Sequence, residues 1–319
     1  METAYTIVVP DAEMLSRLCG TNDSNLDLIE KHLGVPVFTC GNELSVPDAD
    51  PGVAQQFRHI IDRLLDEASE GCDVGPDLLN TILLDSSDRL SAGSFSAASV
   101  VIPGGIRKVY PKTRNQAALV HAMRRSDMVF CLGPAGSGKT FLAVAEALRL
   151  VLSHEKAGIV LTRPVVEAGE NLGFLPGDLE QKINPYLRPL YDAIGALLPK
   201  ETVRKLTESG AIETAPLAYM RGRTLHNSVI ILDEAQNTTK EQMKMFLTRM
   251  GEGSKVFVTG DITQVDLPPR TVSGLAHAVR VLRSVPEIEI HSLTASDVVR
   301  NPLVKKIVQA YENEQTDFS

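Results

Sequence analysis

Residues 133–140 read Gly-Pro-Ala-Gly-Ser-Gly-Lys-Thr, and this stretch decides the fold. It has the form GxxxxGK[ST], with an apolar run over 128–132 before it and a helical pattern over 139–153 after it. In a strand–loop–helix of this kind the glycines let the backbone curl, so that N–H groups face a β-phosphate at a helix N-terminus. Gly133, Pro134, Ala135, Gly136, Ser137 and Gly138 then form the cradle. Lys139 reaches the β- and γ-oxygens, and Thr140 offers its hydroxyl to Mg²⁺. The expected ligand is a nucleoside triphosphate with its divalent cation.

Outward from this loop, short apolar runs alternate with helical patterns. Strands are expected at 128–132, 158–162, 229–232, 256–259 and 288–293, and helices near 116–125, 139–153, 240–250, 272–284 and 302–313. Fully apolar, β-branched strands separated by helices predict an α/β fold whose parallel sheet is covered on both faces. The 229–232 strand runs into Asp233-Glu234-Ala235-Gln236, placing two carboxylates at the carboxyl end of a strand, where open α/β sheets bind ligands. Asp233 is expected to serve the Mg²⁺ shell. Glu234 is expected to orient and deprotonate the attacking water. The 256–259 strand brings Thr259-Gly260-Asp261 and then Gln264 to the same edge, where an amide can sense the γ-phosphate or place water.

The 319 residues, 43% hydrophobic and 23% charged, suit one large domain or a core with an appendage. Residues 1–100 carry 17 acidic and 5 basic side chains, against 23 and 27 in the remainder. An acidic first third repels a polyanion, and the rest tolerates one. Within that first third, a strand over 5–9, a helix over 25–32 capped by Ser24, a hairpin turning at Gly41-Asn42 and an amphipathic helix over 53–68 predict a small α+β domain, 1–85. Its amphipathic helix aligns Val53, Phe57, Ile60, Ile61, Leu64 and Leu65 on one face. A Ser/Ala/Gly-rich stretch, 86–107, reads as a linker. The core follows at 108–319, with a proline-containing insertion around 164–225 expected to hold short helices.

No apolar stretch approaches the roughly 18 residues of a membrane span, and the first residues lack a basic-then-apolar leader pattern, so a cytoplasmic protein without membrane contact is expected. Cys19, Cys40, Cys72 and Cys131 are too scattered for paired metal or disulfide motifs.

Five segments now carry a resemblance: GPAGSGKT, LTRPVVEAGENLGFLPGDLEQKINPYLRPLYD, YMRGRTLHNSVIILDEAQNTT, VTGDITQVDLP and DVVRNPLV. Together they resemble the PhoH-like family of bacterial ATPases, and in motif style they are similar to superfamily 1 helicases. The resemblance implies a single RecA-like P-loop core, a cytoplasmic location, ring-like homo-oligomers, RNA metabolism with weak helicase activity, and in some members partnership with a YbeY-type endoribonuclease. The stretch around 25–46 resembles the KH-like domain that precedes such cores, although residues 1–90 contain no GxxG loop. The resemblance makes Gln116 an adenine reader, which favours ATP over GTP, and Arg163 a contact to a nucleic-acid phosphate. It makes Arg300 the candidate arginine finger.

Helicases of this motif class enclose ATP between two cores, and only one core is present in this sequence, so the second wall is expected from a neighbouring subunit through Arg300, Arg280 or Arg283. Further basic residues that fit a nucleic-acid track are Arg107, Lys108, Lys112 and Arg114, with Tyr110 nearby, and Arg221 and Arg223. Two other readings stay open: an ATP-gated assembly switch that recruits an RNase, and a small-molecule kinase.

Overall fold

The computed structural model describes residues 4–47, 50–69, 74–87, 97–164 and 179–298. The chain divides into two compact units, one formed by Met1–Ser99 with Tyr110–Ala117 and the other by Val100–Val109 with Ala118–Ser319.

In the first unit, strands β1 (Ala4–Val8), β2 (Phe38–Cys40) and β3 (Glu43–Pro47) form an antiparallel sheet in the order β1-β3-β2. Helices α1 (Ala12–Cys19), α2 (Ser24–Leu33), α3 (Pro51–Ser69) and α4 (Pro76–Ser87) accompany it. The α3 stripe buries Phe57, Ile60, Ile61 and Leu64 completely, together with Leu44 and Val46 of β3. Ser24 proves to be the first residue of α2 and not its cap. Asp23 holds the cap position in a left-handed conformation and makes no side-chain cap bond there. The buried Asn25 instead donates to the carbonyls of Leu18 and Val74, fastening the end of α1 to the approach to α4. Helices α1 and α4 were not anticipated. The eight residues of α1 are too short for a clear period, though Asp11 caps it by accepting from Met14 N at 2.7 Å.

The second unit is built on six parallel strands: β4 (Met128–Leu132), β5 (Gly158–Arg163), β6 (Ile212–Pro216), β7 (Ser228–Leu232), β8 (Lys255–Gly260) and β9 (Ile288–Ser292). Their order is β6-β5-β7-β8-β4-β9, which is the RecA-like arrangement of a P-loop core. The central strands are apolar because helices cover both faces of such a sheet. Helix α5 (Arg114–Arg125) leads into β4, and α6 (Lys139–Leu152) follows the glycine-rich loop with ten of its residues buried. Next come α7 (Leu179–Gly195) and α8 (Lys200–Glu208), then α9 (Lys240–Leu247) and α10 (Gly274–Leu282). The 164–225 region therefore contributes more than short helices. It supplies the 17-residue α7 and the edge strand β6, whose Glu213 and Thr214 disguise its strand pattern.

Two further expectations meet this unit. Residues 100–107, read as linker, pack into it: Val100 and Val109 exchange backbone hydrogen bonds of 2.8 and 2.9 Å, and Ile106 N donates to Leu197 O. The helix expected over 302–313 lies outside the described residues.

Candidate active site

The strand order puts β8 between β4, which leads into the glycine loop, and β7, which ends at Asp233. Three strand ends therefore converge on one edge. After β4 the chain turns through Gly133, at φ 148°, and enters α6 from Gly138, at φ 86°, a conformation that L side chains strain to adopt. A Cβ on Gly133 would also lie 2.7 Å from Leu293 O. The Lys139 ammonium donates to Gly133 O at 2.7 Å and Pro134 O at 2.9 Å, and the buried Ser137 hydroxyl donates to Pro134 O. The cationic head is thus held over the loop that the glycines shape.

Asp233 is buried, and its Oδ1 accepts from two hydroxyls, Thr140 at 2.6 Å and Thr259 at 2.7 Å. One carboxylate oxygen therefore joins the start of α6 to the end of β8. Glu234 follows in a left-handed conformation, φ 52° and ψ 38°, sparsely populated for a residue with a long side chain. Its Oε1 pairs with Arg163 Nη2 at 3.0 Å, and its Oε2 accepts from Gln236 Nε2 at 2.5 Å. Arg163 also lies 3.9 Å from Asp233 Oδ2.

Gln236 carries the network onward, since its Oε1 accepts from Asp261 N at 3.0 Å. Asp261 Oδ1 in turn accepts from the backbone and hydroxyl of Thr263, while its buried Oδ2 has no hydrogen-bond partner.

These residues border a cleft of about 430 Å³ lined by Ala135, Gly136, Gly138, Lys139 and Thr140, by Arg163, Asp233, Glu234, Gly260, Asp261 and Gln264, and by Pro189, Asp192 and Ala193 of α7 with Ala196 just after it. Thr140 and Asp233 are hard oxygen donors in contact at a helix N-terminus, and Asp261 lines the same cleft. This donor set fits a hydrated divalent cation accompanying a polyphosphate.

Gln264 is exposed on the cleft, with its N–H on Asp261 O. Gln116 is buried in the first unit, where its Oε1 accepts from Lys112 N at 2.6 Å and its own N–H donates to Thr113 Oγ1, a helix-start arrangement. Arg107 is exposed and stands 5.6 Å from the Phe141 ring centroid, and Lys108 is half-buried. Lys112 pairs with Asp77 at 2.8 Å, and Arg114 and Arg221 are exposed. Arg223 makes a bidentate pair with Glu213, which holds the Glu213 carboxyl below and the guanidinium above their ordinary values. Arg280 and Arg283 are exposed, and Arg300 lies outside the described residues.

The linking roles of Thr259, Gln236 and Asp261 were missed. All three stand in the motifs already quoted, but their partners become visible only once β7 and β8 are in register.

The family described as PhoH-like protein matches residues 108–312. A PhoH-like protein of Bacillus subtilis (strain 168) is 45% identical over 307 residues, spanning 96% of this chain and 95% of the relative. One from Mycobacterium tuberculosis (strain ATCC 25618 / H37Rv) is 45% identical over 306 residues, spanning 95% and 86%. Among solved structures, the Pif1 helicase from Candida albicans aligns over 57% of this chain and 40% of its own, with a TM-score of 0.30 and 15% identity. With the family match covering the whole nucleotide cleft and the relatives matching both units, this chain belongs to the PhoH-like family and carries that family's P-loop nucleotide site.

Proposed function

We propose that the protein is an Mg²⁺-dependent ATPase that couples hydrolysis to RNA handling, with weak helicase activity. The observation that carries the hydrolase reading is the contact between Thr140 and Asp233 with Glu234 beside it on one cleft. Lys139 and the loop N–H groups bind the β- and γ-phosphates, Thr140 and Asp233 hold the cation, and Glu234 takes the proton of the attacking water. The cation, when bound, offsets charge on the phosphoryl oxygens. Gln264 stands where a γ-phosphate can be sensed. Gln116 as the adenine reader is the reason for ATP over GTP, and direct comparison of the two nucleotides checks it.

The RNA part rests on the resemblance and on charge. Beyond residue 100 the chain is net basic, and Arg107, Arg114 and Arg221 are exposed. Lys112 is held by Asp77, Arg223 by Glu213 and Arg163 by Glu234. A homo-oligomeric ring supplies the second wall of the ATP site, and a YbeY-type endoribonuclease is the associated enzyme. In this reading the protein is cytoplasmic; no helix among the described residues is long and apolar enough to cross a membrane. The acidic first third favours one second reading, an ATP-gated assembly switch whose N-terminal unit docks an RNase. A small-molecule kinase leaves Glu234 and Gln264 without work.

The test is steady-state ATP hydrolysis with Mg²⁺, with and without mixed single-stranded RNA, at two salt concentrations. RNA stimulation that fades as salt rises is expected. Lys139→Ala should lose ATP affinity, and Glu234→Gln should bind ATP without hydrolysing it. Wild-type turnover by Glu234→Gln overturns the base assignment, and hydrolysis indifferent to RNA favours the assembly switch.

A further inference from the structure

Each oxygen of Glu234 carries one donor, Arg163 on one and Gln236 on the other, and these two contacts set where the carboxylate is aimed. The Gln236 amide is buried and tied at its other end to Asp261 N. The Arg163 side chain, by contrast, stands at the end of β5, is 21% exposed and borders the same cleft as Lys139 and Thr140. Of the two donors it is the one able to change partner. A guanidinium beside a carboxylate has one stronger class of partner in such a cleft, the oxygens of a terminal phosphate, which it can hold through two N–H groups.

Resting on the nucleotide reading of this site, we propose that Arg163 reports the terminal phosphate: it holds Glu234 and exchanges that carboxylate for the γ-phosphate of a bound triphosphate, releasing Glu234 to water. A diphosphate leaves the γ position empty, so the carboxylate stays held. Arg163 in this scheme positions Glu234, and its contribution appears as a preference for triphosphate over diphosphate.

The test uses full-length protein and equilibrium binding of a non-hydrolysable ATP analogue and of ADP. Arg163→Gln is expected to weaken the analogue about tenfold, as loss of a charge-assisted bond does, and to leave ADP unchanged. Glu234→Gln is expected to tighten the analogue, because Arg163 no longer leaves a charged partner, and most of that tightening should vanish in the Arg163→Gln, Glu234→Gln double variant. Arg163→Lys should recover part of the triphosphate preference.

Equal weakening of both nucleotides by Arg163→Gln marks a structural role and overturns the proposal, as does no change in either. Loss of affinity for mixed single-stranded RNA, with nucleotide binding intact, assigns the residue to nucleic acid and overturns it too. If Arg163→Gln fails to fold by thermal melting, the proposal falls when Glu234→Gln does not tighten the analogue. Failure of the ATPase reading shows separately, as absence of turnover by wild type.

Discussion

Asp233 Oδ1 is where the α6 start and the β8 end meet, through Thr140 and Thr259. Thr259 is fully buried, so Thr259→Val keeps the volume while removing one donor to a carboxylate. The expected loss is about 2 kcal/mol of stability, measured by chemical denaturation. Turnover should fall more than nucleotide affinity, because Asp233 loses its fixed orientation while the phosphate cradle stays intact. Unchanged turnover would make Thr259 a packing residue only. The meeting of Lys139, Thr140, Asp233 and Glu234 on one cleft was legible in the sequence because local spacing specifies it: a loop of fixed length before a helix, and a carboxylate pair at a strand end. The contacts of Arg163, Gln236 and Thr259 were hidden because each joins residues from different strands and depends on register. Gln116, which the resemblance makes an adenine reader, has its oxygen on the Lys112 N–H at its own helix start.

At the level of elements, the position of β8 between β4 and β7 explains how the loop that carries Gln264 comes to line the same cleft as the glycine loop and Asp233. Gly260, the last residue of β8, is packed so closely that a Cβ would lie 2.5 Å from Leu275 Cδ2 and 2.8 Å from Gln236 Oε1. Gly260→Ala should therefore push on Gln236 and, through it, on Glu234. About 1–3 kcal/mol of stability is expected to go, as overpacking of a buried site typically costs, together with turnover. ADP affinity should be largely kept, and calorimetric binding checks this. The core strands were legible because they are uniformly apolar. The edge strand β6 was not, since an edge needs less burial and tolerates Glu213 and Pro216.

The other edge strand, β9, carries a pH dependence. Burial pushes the Glu289 carboxyl up, but the Ser126 hydroxyl, His291 and the Arg125 guanidinium outweigh it and hold the group down at about 2. A carboxyl depressed from 4.5 contributes stability above about pH 4.5 and loses it as pH falls toward 2. Glu289→Gln should thus be less stable than wild type at neutral pH, with the difference closing across that window in acid denaturation. A constant difference across the window overturns the assignment.

For the whole molecule, the six-stranded core carries the nucleotide cleft at its strand ends, and the described walls of that cleft are the glycine loop, the strand ends and α7. A phosphoryl transfer that builds negative charge is aided by a cation approaching from the side opposite the P-loop lysine. In the proposed ring the second wall brings this arginine, and Arg280 and Arg283 stand exposed on and just after α10. Sedimentation with and without a non-hydrolysable ATP analogue is expected to show a homo-oligomer that the analogue stabilises, because a ligand bound between subunits favours the assembled state by mass action. Arg280→Ala, Arg283→Ala and Arg300→Ala can then be mixed with Glu234→Gln subunits. If the arginine acts in trans, each mixed ring regains sites that pair an intact Glu234 with an intact neighbouring arginine, and turnover exceeds that of either variant alone. A monomer under both conditions places every catalytic group within one chain and overturns the trans role of these arginines.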